Sequence, residues 1–131
     1  MDAPTPFLKI ASADQAAGER FVGVIVDQHA DGRTTAYGVF LLDDQVDDLS
    51  HKNASAWAQA RGGEVPSMRE MHLIAANAAE RLDHVHWYWT RDGFQGGTRS
   101  FHNFDSKDGR VGYTHAWHLH SALVVRRVQI C

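Results

Sequence analysis

Hydrophobic positions change their spacing twice along the chain. Phe21-Val22-Gly23-Val24-Ile25-Val26 is a β-branched run, and after Ala30-Asp31-Gly32 comes a second, Tyr37-Gly38-Val39-Phe40-Leu41-Leu42. Two such runs around an Asp-Gly turn predict a β-hairpin, and their near-continuous apolar character predicts strands covered on both faces. The acidic tract Asp43-Asp44-Gln45-Val46-Asp47-Asp48 reads as a solvated loop. It lacks the alternating oxygen ligands, the bend glycine and the terminal glutamate of a calcium loop. The spacing then becomes helical. Ala54, Trp57, Ala58 and Arg61 share one face of a short helix that Gly62-Gly63 ends. Ser67 and Glu70 stand at capping-box spacing, and Met71, Ile74, Ala75, Ala78 and Leu82 line the face of a second helix. Arg69, Asn77, Glu80 and Arg81 fall toward water.

From His84 onward the period is two. His86–Trp89, Ser100–Phe104, Val111–Tyr113 and Leu123–Ile130 are the strand candidates, separated by a glycine-rich stretch (Gly93, Gly96, Gly97) and by the tight turn Ser106-Lys107-Asp108-Gly109. The order is an N-terminal β-hairpin, two helices, then a multi-stranded antiparallel sheet. It predicts an α+β domain with both helices grouped on one side of the sheet. A chain of 131 residues holds one such domain, with residues 1–19 as an N-terminal arm and residues 20–130 as the core.

Charge and cysteine narrow the function classes. A net charge of −3 disfavours general nucleic-acid binding, and no apolar run is long enough for a membrane span. Cys131 is the sole cysteine, which excludes an intrachain disulfide and a cysteine-based zinc site. Met1–Pro6 carries no signal-peptide pattern, so the expectation is a protein of the host cytoplasm or of a virion assembled there. Residues 1–66 hold five basic and ten acidic side chains, whereas residues 67–131 hold eight and six, together with seven of the nine histidines. The second half is therefore the place to look for chemistry.

Four motifs in order resemble a known family. Gly63-Glu64-Val65-Pro66-Ser67-Met68-Arg69-Glu70-Met71 is similar to its "G-W-R-L-P-T-x-x-E-L" helix start, and Tyr88-Trp89-Thr90 to its "Y-W-S/T" strand. Asn103-Phe104-Asp105 with Asp108-Gly109 resembles its "N-F-x-D-G" hairpin, and Val124–Val128 its closing "V-R-C-V-R" strand. The family is the lectin-like domain of unknown function typified by the Lcl C-terminal domain, found in bacterial surface proteins and phage tail or accessory proteins. The resemblance spans roughly residues 20–130. It implies a C-type-lectin-like fold in which the first and last strands lie near one another and a looped region carries recognition. The Glu-Pro-Asn, Gln-Pro-Asp and Trp-Asn-Asp motifs of calcium-dependent lectins are missing, so calcium-mediated sugar binding does not carry over.

Three functional readings follow. The first is a non-enzymatic recognition or assembly module, a phage tail or virion-surface protein binding a protein or a glycan, either as a homo-oligomer or as part of the particle. Aromatic and arginine side chains dominate interface energetics, and they crowd the second half. The expected binding residues are Arg91, Phe94, Gln95, Arg99, Arg110 and Tyr113, with residues 91–99 as an exposed gripping loop. Trp89, Phe101 and Trp117 are the expected core aromatics. The second reading is a phage-encoded inhibitor that binds a host macromolecule through Asp43, Asp44, Asp47 and Asp48. The third is a metalloenzyme using His84 and His86, or His118 and His120, which would share a face if each segment were extended. No carboxylate is fixed beside these pairs and H-x-H spacing recurs by chance, so the expectation is no cofactor. A G-x-S-x-G elbow and a phosphate-cradling glycine loop are both missing, which disfavours a classical hydrolase or nucleotide enzyme.

Overall fold

Side chains that alternate between two buried surfaces define a six-stranded sheet with a helix on each side. The computed structural model describes residues 18–83, 86–105 and 107–130. Most of the expected N-terminal arm, together with His84, Ser106 and Cys131, lies outside the described residues. The hairpin forms as read: β1 (Arg20–Gln28) and β2 (Thr34–Leu49) pair antiparallel. Then come α1 (His51–Ala60) and α2 (Met68–Asn77). They are followed by β3 (Trp87–Gly93), β4 (Ser100–Asp105), β5 (Arg110–His115) and β6 (His120–Gln129). The strand order is β1-β2-β6-β3-β4-β5, which makes the protein α+β. No helix among the described residues is long and apolar enough to cross a membrane.

The sheet is mixed and not antiparallel throughout. β6 returns between the hairpin and the β3–β4–β5 meander, antiparallel to β2 and parallel to β3, with Tyr88 opposite Ser121 as their one paired position. Beyond it, the linker between the helices takes up the free backbone groups of both strands. Glu64 N–H donates to Val125 O (2.9 Å), Val125 N–H donates to Glu64 O (2.8 Å), and Arg91 N–H donates to Pro66 O (2.9 Å). Gly63 makes that approach feasible, because a Cβ there would lie 2.4 Å from the Val125 carbonyl oxygen.

Passing between two strands takes the chain from one side of the sheet to the other, so the helices lie on opposite faces rather than on one. Side chains of β6 show this directly. Ala122 and Val124 pack with Ala54 and Ala58 of α1, whereas Leu123 and Val125 pack with Met71 and Ile74 of α2. Successive strand residues point to opposite faces, so each helix owns one parity of the sheet. Tyr88 and Phe104 belong to the α2 side, Trp89 and Phe101 to the α1 side.

Two local expectations change. The acidic tract is strand and not loop, since Gln45 and Val46 pair with Leu123 and Ala122 of β6. Its carboxylates still face outward. Asp43 meets Arg81, Asp44 meets Arg61 (3.2 Å), and Asp47 accepts from the Ser121 hydroxyl (2.7 Å). The second helix stops at Asn77, short of Leu82. Arg81 turns back to donate to the carbonyls of Leu42 and Asp43 at 3.0 Å each, and Leu82 reaches the same core from a 3-10 turn.

Glu70 ties α2 to β6. It closes the expected capping box by accepting from Ser67 N–H (2.7 Å), but its carboxylate is 0% exposed and also meets Arg127. Arg127 donates from Nε to Oε2 (2.5 Å) and from Nη2 to Oε1 (2.8 Å), and its Nη1 meets Glu64 of the linker. Burial by itself favours the neutral acid. The hydrogen bonds from Arg127 and Ser67 outweigh it and hold the carboxyl below its ordinary 4.5.

Removing one partner leaves a buried charge uncompensated, so Arg127→Met is expected to destabilise the protein by about 3–5 kcal/mol in urea unfolding. Glu70→Met with Arg127→Leu should recover most of that loss, and equal stability of the single variant and the native chain would contradict the arrangement. Because the folded Glu70 pKa is depressed, its contribution is present above 4.5 and is lost as pH falls below that and through the folded value. That acid limb should flatten in the double variant.

Candidate functional site

The outer half of the sheet, β3–β4–β5 and the turn into β6, carries the side chains with chemistry. Its inner aromatic layer is structural. Trp89 is 0% exposed and donates its indole N–H to Leu49 O (2.8 Å). His51 stacks on Phe101 with centroids 3.4 Å apart, and its Nε2–H donates to Thr90 O (2.9 Å). Desolvation lowers the His51 pKa, so this ring is a neutral core group.

On the same α1 side, further out, a cavity of about 160 Å³ opens among Trp87, Asn103, Gly112, Tyr113, Thr114 and His120. Register places Asn103 opposite Gly112, and the missing side chain at Gly112 leaves room beside the amide. A Cβ at Gly112 would lie 2.9 Å from Asn103 Oδ1 and 3.1 Å from the Trp87 ring. Asn103 Nδ2 donates to Thr114 Oγ1 (3.0 Å), which lies 2.9 Å from His120 Nε2. Asn103 Nδ2 also lies 3.4 Å from His120 Nε2, so with the ring proton on Nδ1 the Nε2 nitrogen accepts from the Thr114 hydroxyl and faces the amide hydrogens. Desolvation, reinforced by the nearby His118, lowers the His120 pKa and keeps the ring neutral. Asn103 itself is 1% exposed, and its Oδ1 has no hydrogen-bond partner among the described residues. Arg110 borders the Trp87 ring at 5.9 Å, with its charge matched by Asp105 and Asp108 at 3.2 Å each.

The opposite side of the same strands carries a second aromatic group. Phe94 stacks on Tyr113 (centroids 3.8 Å, planes 10° apart) and meets His102 edge-on. Of the expected exposed loop 91–99, residues 95–99 are exposed, whereas Arg91–Gly93 complete β3 and Asp92, Gly93 and Phe94 are half-buried. The six expected binding residues do not form one patch. Phe94 and Tyr113 come together, with Gln95 exposed beside Phe94. Arg110 borders the Trp87 cavity on the other face. Arg91 lies beside Ser55 and Gln59 of α1, because it shares the parity of Trp87 and Trp89. Arg99 is exposed, and its carbonyl accepts from Ala116 N–H (2.8 Å).

The histidine tract is a turn and not a strand. His115 and Trp117 stack (centroids 4.2 Å), while His118 lines a cavity of about 270 Å³ with Ser100, Tyr113, Thr114 and His115. His118 and His120 thus do not share a strand face. His86 meets Asp83 (2.9 Å), and its expected partner His84 is outside the described residues. Among the described residues no three His, Cys, Asp or Glu side chains gather as a metal-binding group. Trp117, read as core, is 68% exposed because the turn swings it out beyond the sheet edge. Asn103, Gly112 and Thr114 were not singled out as site residues from sequence. Their signal was there, since a glycine inside a period-two strand marks a close approach.

No family model matches the chain, and no curated protein matches it.

His120 should titrate below 6.5 and show a pyridine-like Nε2 in long-range proton–nitrogen spectra. As a histidine with a depressed folded pKa, it contributes stability that is present above 6.5 and lost as pH falls below that and through the folded value. A midpoint at or above 6.5 would remove the Thr114-to-His120 hydrogen bond from the account.

Proposed function

We propose that this protein is a non-enzymatic recognition module of C-type-lectin-like fold. It binds a protein or glycan partner through the outer strand β5 and the turn into β6, as a component of a phage tail or virion surface. One observation carries the binding role. Of the five exposed large apolar side chains among the described residues, four (Val111, Tyr113, Trp117 and Leu119) lie on β5 and the turn that follows, with Trp117 68% and Leu119 60% exposed. Large aromatic side chains held rigidly in solvent are the usual anchors of interfaces, and β5 also presents an unpaired sheet edge. What supports the lectin-like reading is the exposed excursion after β3, whereas the first strand β1 is separated from the closing strand β6 by β2. The acidic-surface reading draws less support. Asp43, Asp44 and Asp47 already have partners in Arg81, Arg61 and Ser121, which shrinks the field that a decoy for nucleic acid would need.

The test is a triple variant, Phe94→Ala, Tyr113→Ser and Trp117→Ser, against glycan arrays and immobilised candidate host and particle proteins. Tyr113 and Trp117 are exposed, so the cost to folding from those two should stay within about 0.5 kcal/mol each. Binding should fall by at least about tenfold. An unchanged binding profile in the folded triple variant would overturn the reading.

A further inference from the structure

We infer that the cavity between Trp87 and Gly112 is a subsite for one neutral sugar ring. This rests on the recognition reading above and assigns its ligand class. The lining sets the chemistry. The Trp87 ring supplies apolar surface, and the room, about 160 Å³, suits a single small ring rather than an extended ligand. The polar side chains that line it, Asn103, Thr114 and His120, include no carboxylate, ammonium or guanidinium. Arg110 at its border is already held by two carboxylates, Asp105 and Asp108, and His120 Nε2 lies 2.9 Å from Thr114 Oγ1. A phosphate or carboxylate would find no unmatched cation here.

What the cavity offers is one acceptor, the Asn103 Oδ1 that is buried without a partner. A buried acceptor left unmade is costly, so a ligand that donates to it gains more than an exposed hydrogen bond would give. Rotating the amide does not remove the mismatch. Thr114 Oγ1 and His120 Nε2 both lie toward the Nδ2 position, at 3.0 and 3.4 Å, so one end of the amide always faces Gly112 alone. A ring with an apolar face for the indole and a hydroxyl at its edge, able to donate to or accept from that amide, fits both halves of the site. Gly112 is the residue that keeps the space open, since any Cβ there meets both Asn103 Oδ1 and the Trp87 ring.

The experiment is titration of the full chain with glucose, galactose, mannose and N-acetylglucosamine, read in proton–nitrogen spectra at the Trp87 indole and the Asn103 side-chain amide. At least one sugar should shift both signals saturably in the millimolar range. Gly112→Ala should weaken that binding at least about tenfold, and Thr114→Val should weaken it while keeping the shape of the wall should the first variant fail to fold. Trp117→Ser, outside the cavity, should leave the monosaccharide shifts unchanged even where it abolishes partner capture. Absence of saturable shifts at these two groups for all four sugars, or shifts that persist in both cavity variants, would overturn the subsite. Loss of partner binding in the Phe94, Tyr113 and Trp117 triple variant together with silent monosaccharide titrations would defeat the subsite alone and leave the recognition reading standing.

Discussion

One buried carboxylate organises this protein. Glu70 caps α2, receives Arg127 from the middle of the sheet, and through Arg127 is linked to Glu64 in the segment that passes between the strands. The three groups sit where β3 and β6 give up pairing with each other. A crossing segment at this place must satisfy backbone groups on both sides, and Glu64 and Pro66 do so. The ion pair then fixes where α2 starts once the chain has crossed. Helices on opposite faces, two separate hydrophobic clusters and an outer strand β5 beyond the helices all follow from that crossing.

The consequence for function is a division of labour along the sheet. α1 and α2 cover the middle, where β2, β6 and β3 are packed on both faces. β5 lies beyond them, with Tyr113 and Val111 outward on one face and Gly112 and Thr114 over the Trp87 cavity on the other. Residues on β5 are therefore available for contact without disturbing either core, which suits the recognition role proposed above.

Much of the architecture was legible in the chain. The Asp-Gly hairpin, both helices, the Ser67–Glu70 capping box and each later strand stood in local patterns, because local hydrogen bonding and alternation decide them. What was not legible depended on distant pairing. The parallel contact of Tyr88 and Ser121 cannot be read from period two, which is the same for either strand direction. Glu70 looked complete as a capping residue, and nothing near it in sequence announced Arg127. Asp43–Asp48 looked like a loop because the local pattern is polar, yet β6 provides backbone partners for it. The site was half legible. Aromatics and arginines pointed to the half of the chain that builds both candidate surfaces, but strand parity sent Arg91 and Arg110 to one face and the Phe94–Tyr113 stack to the other. Trp117 was misplaced because a histidine-rich stretch that alternates like a strand is in fact a turn.

The crossing between β3 and β6 is the central claim, and native-state amide hydrogen exchange tests it most directly. The amides of Glu64, Val125 and Arg91 are each bonded across the crossing, so the account predicts that all three exchange only through global unfolding, with the same free energy as the amides of β6. Exchange of Glu64 and Arg91 at the rate of the exposed Gly96 and Gly97 would mean that the linker does not lie between the strands, and the placement of the helices on opposite faces would fall with it.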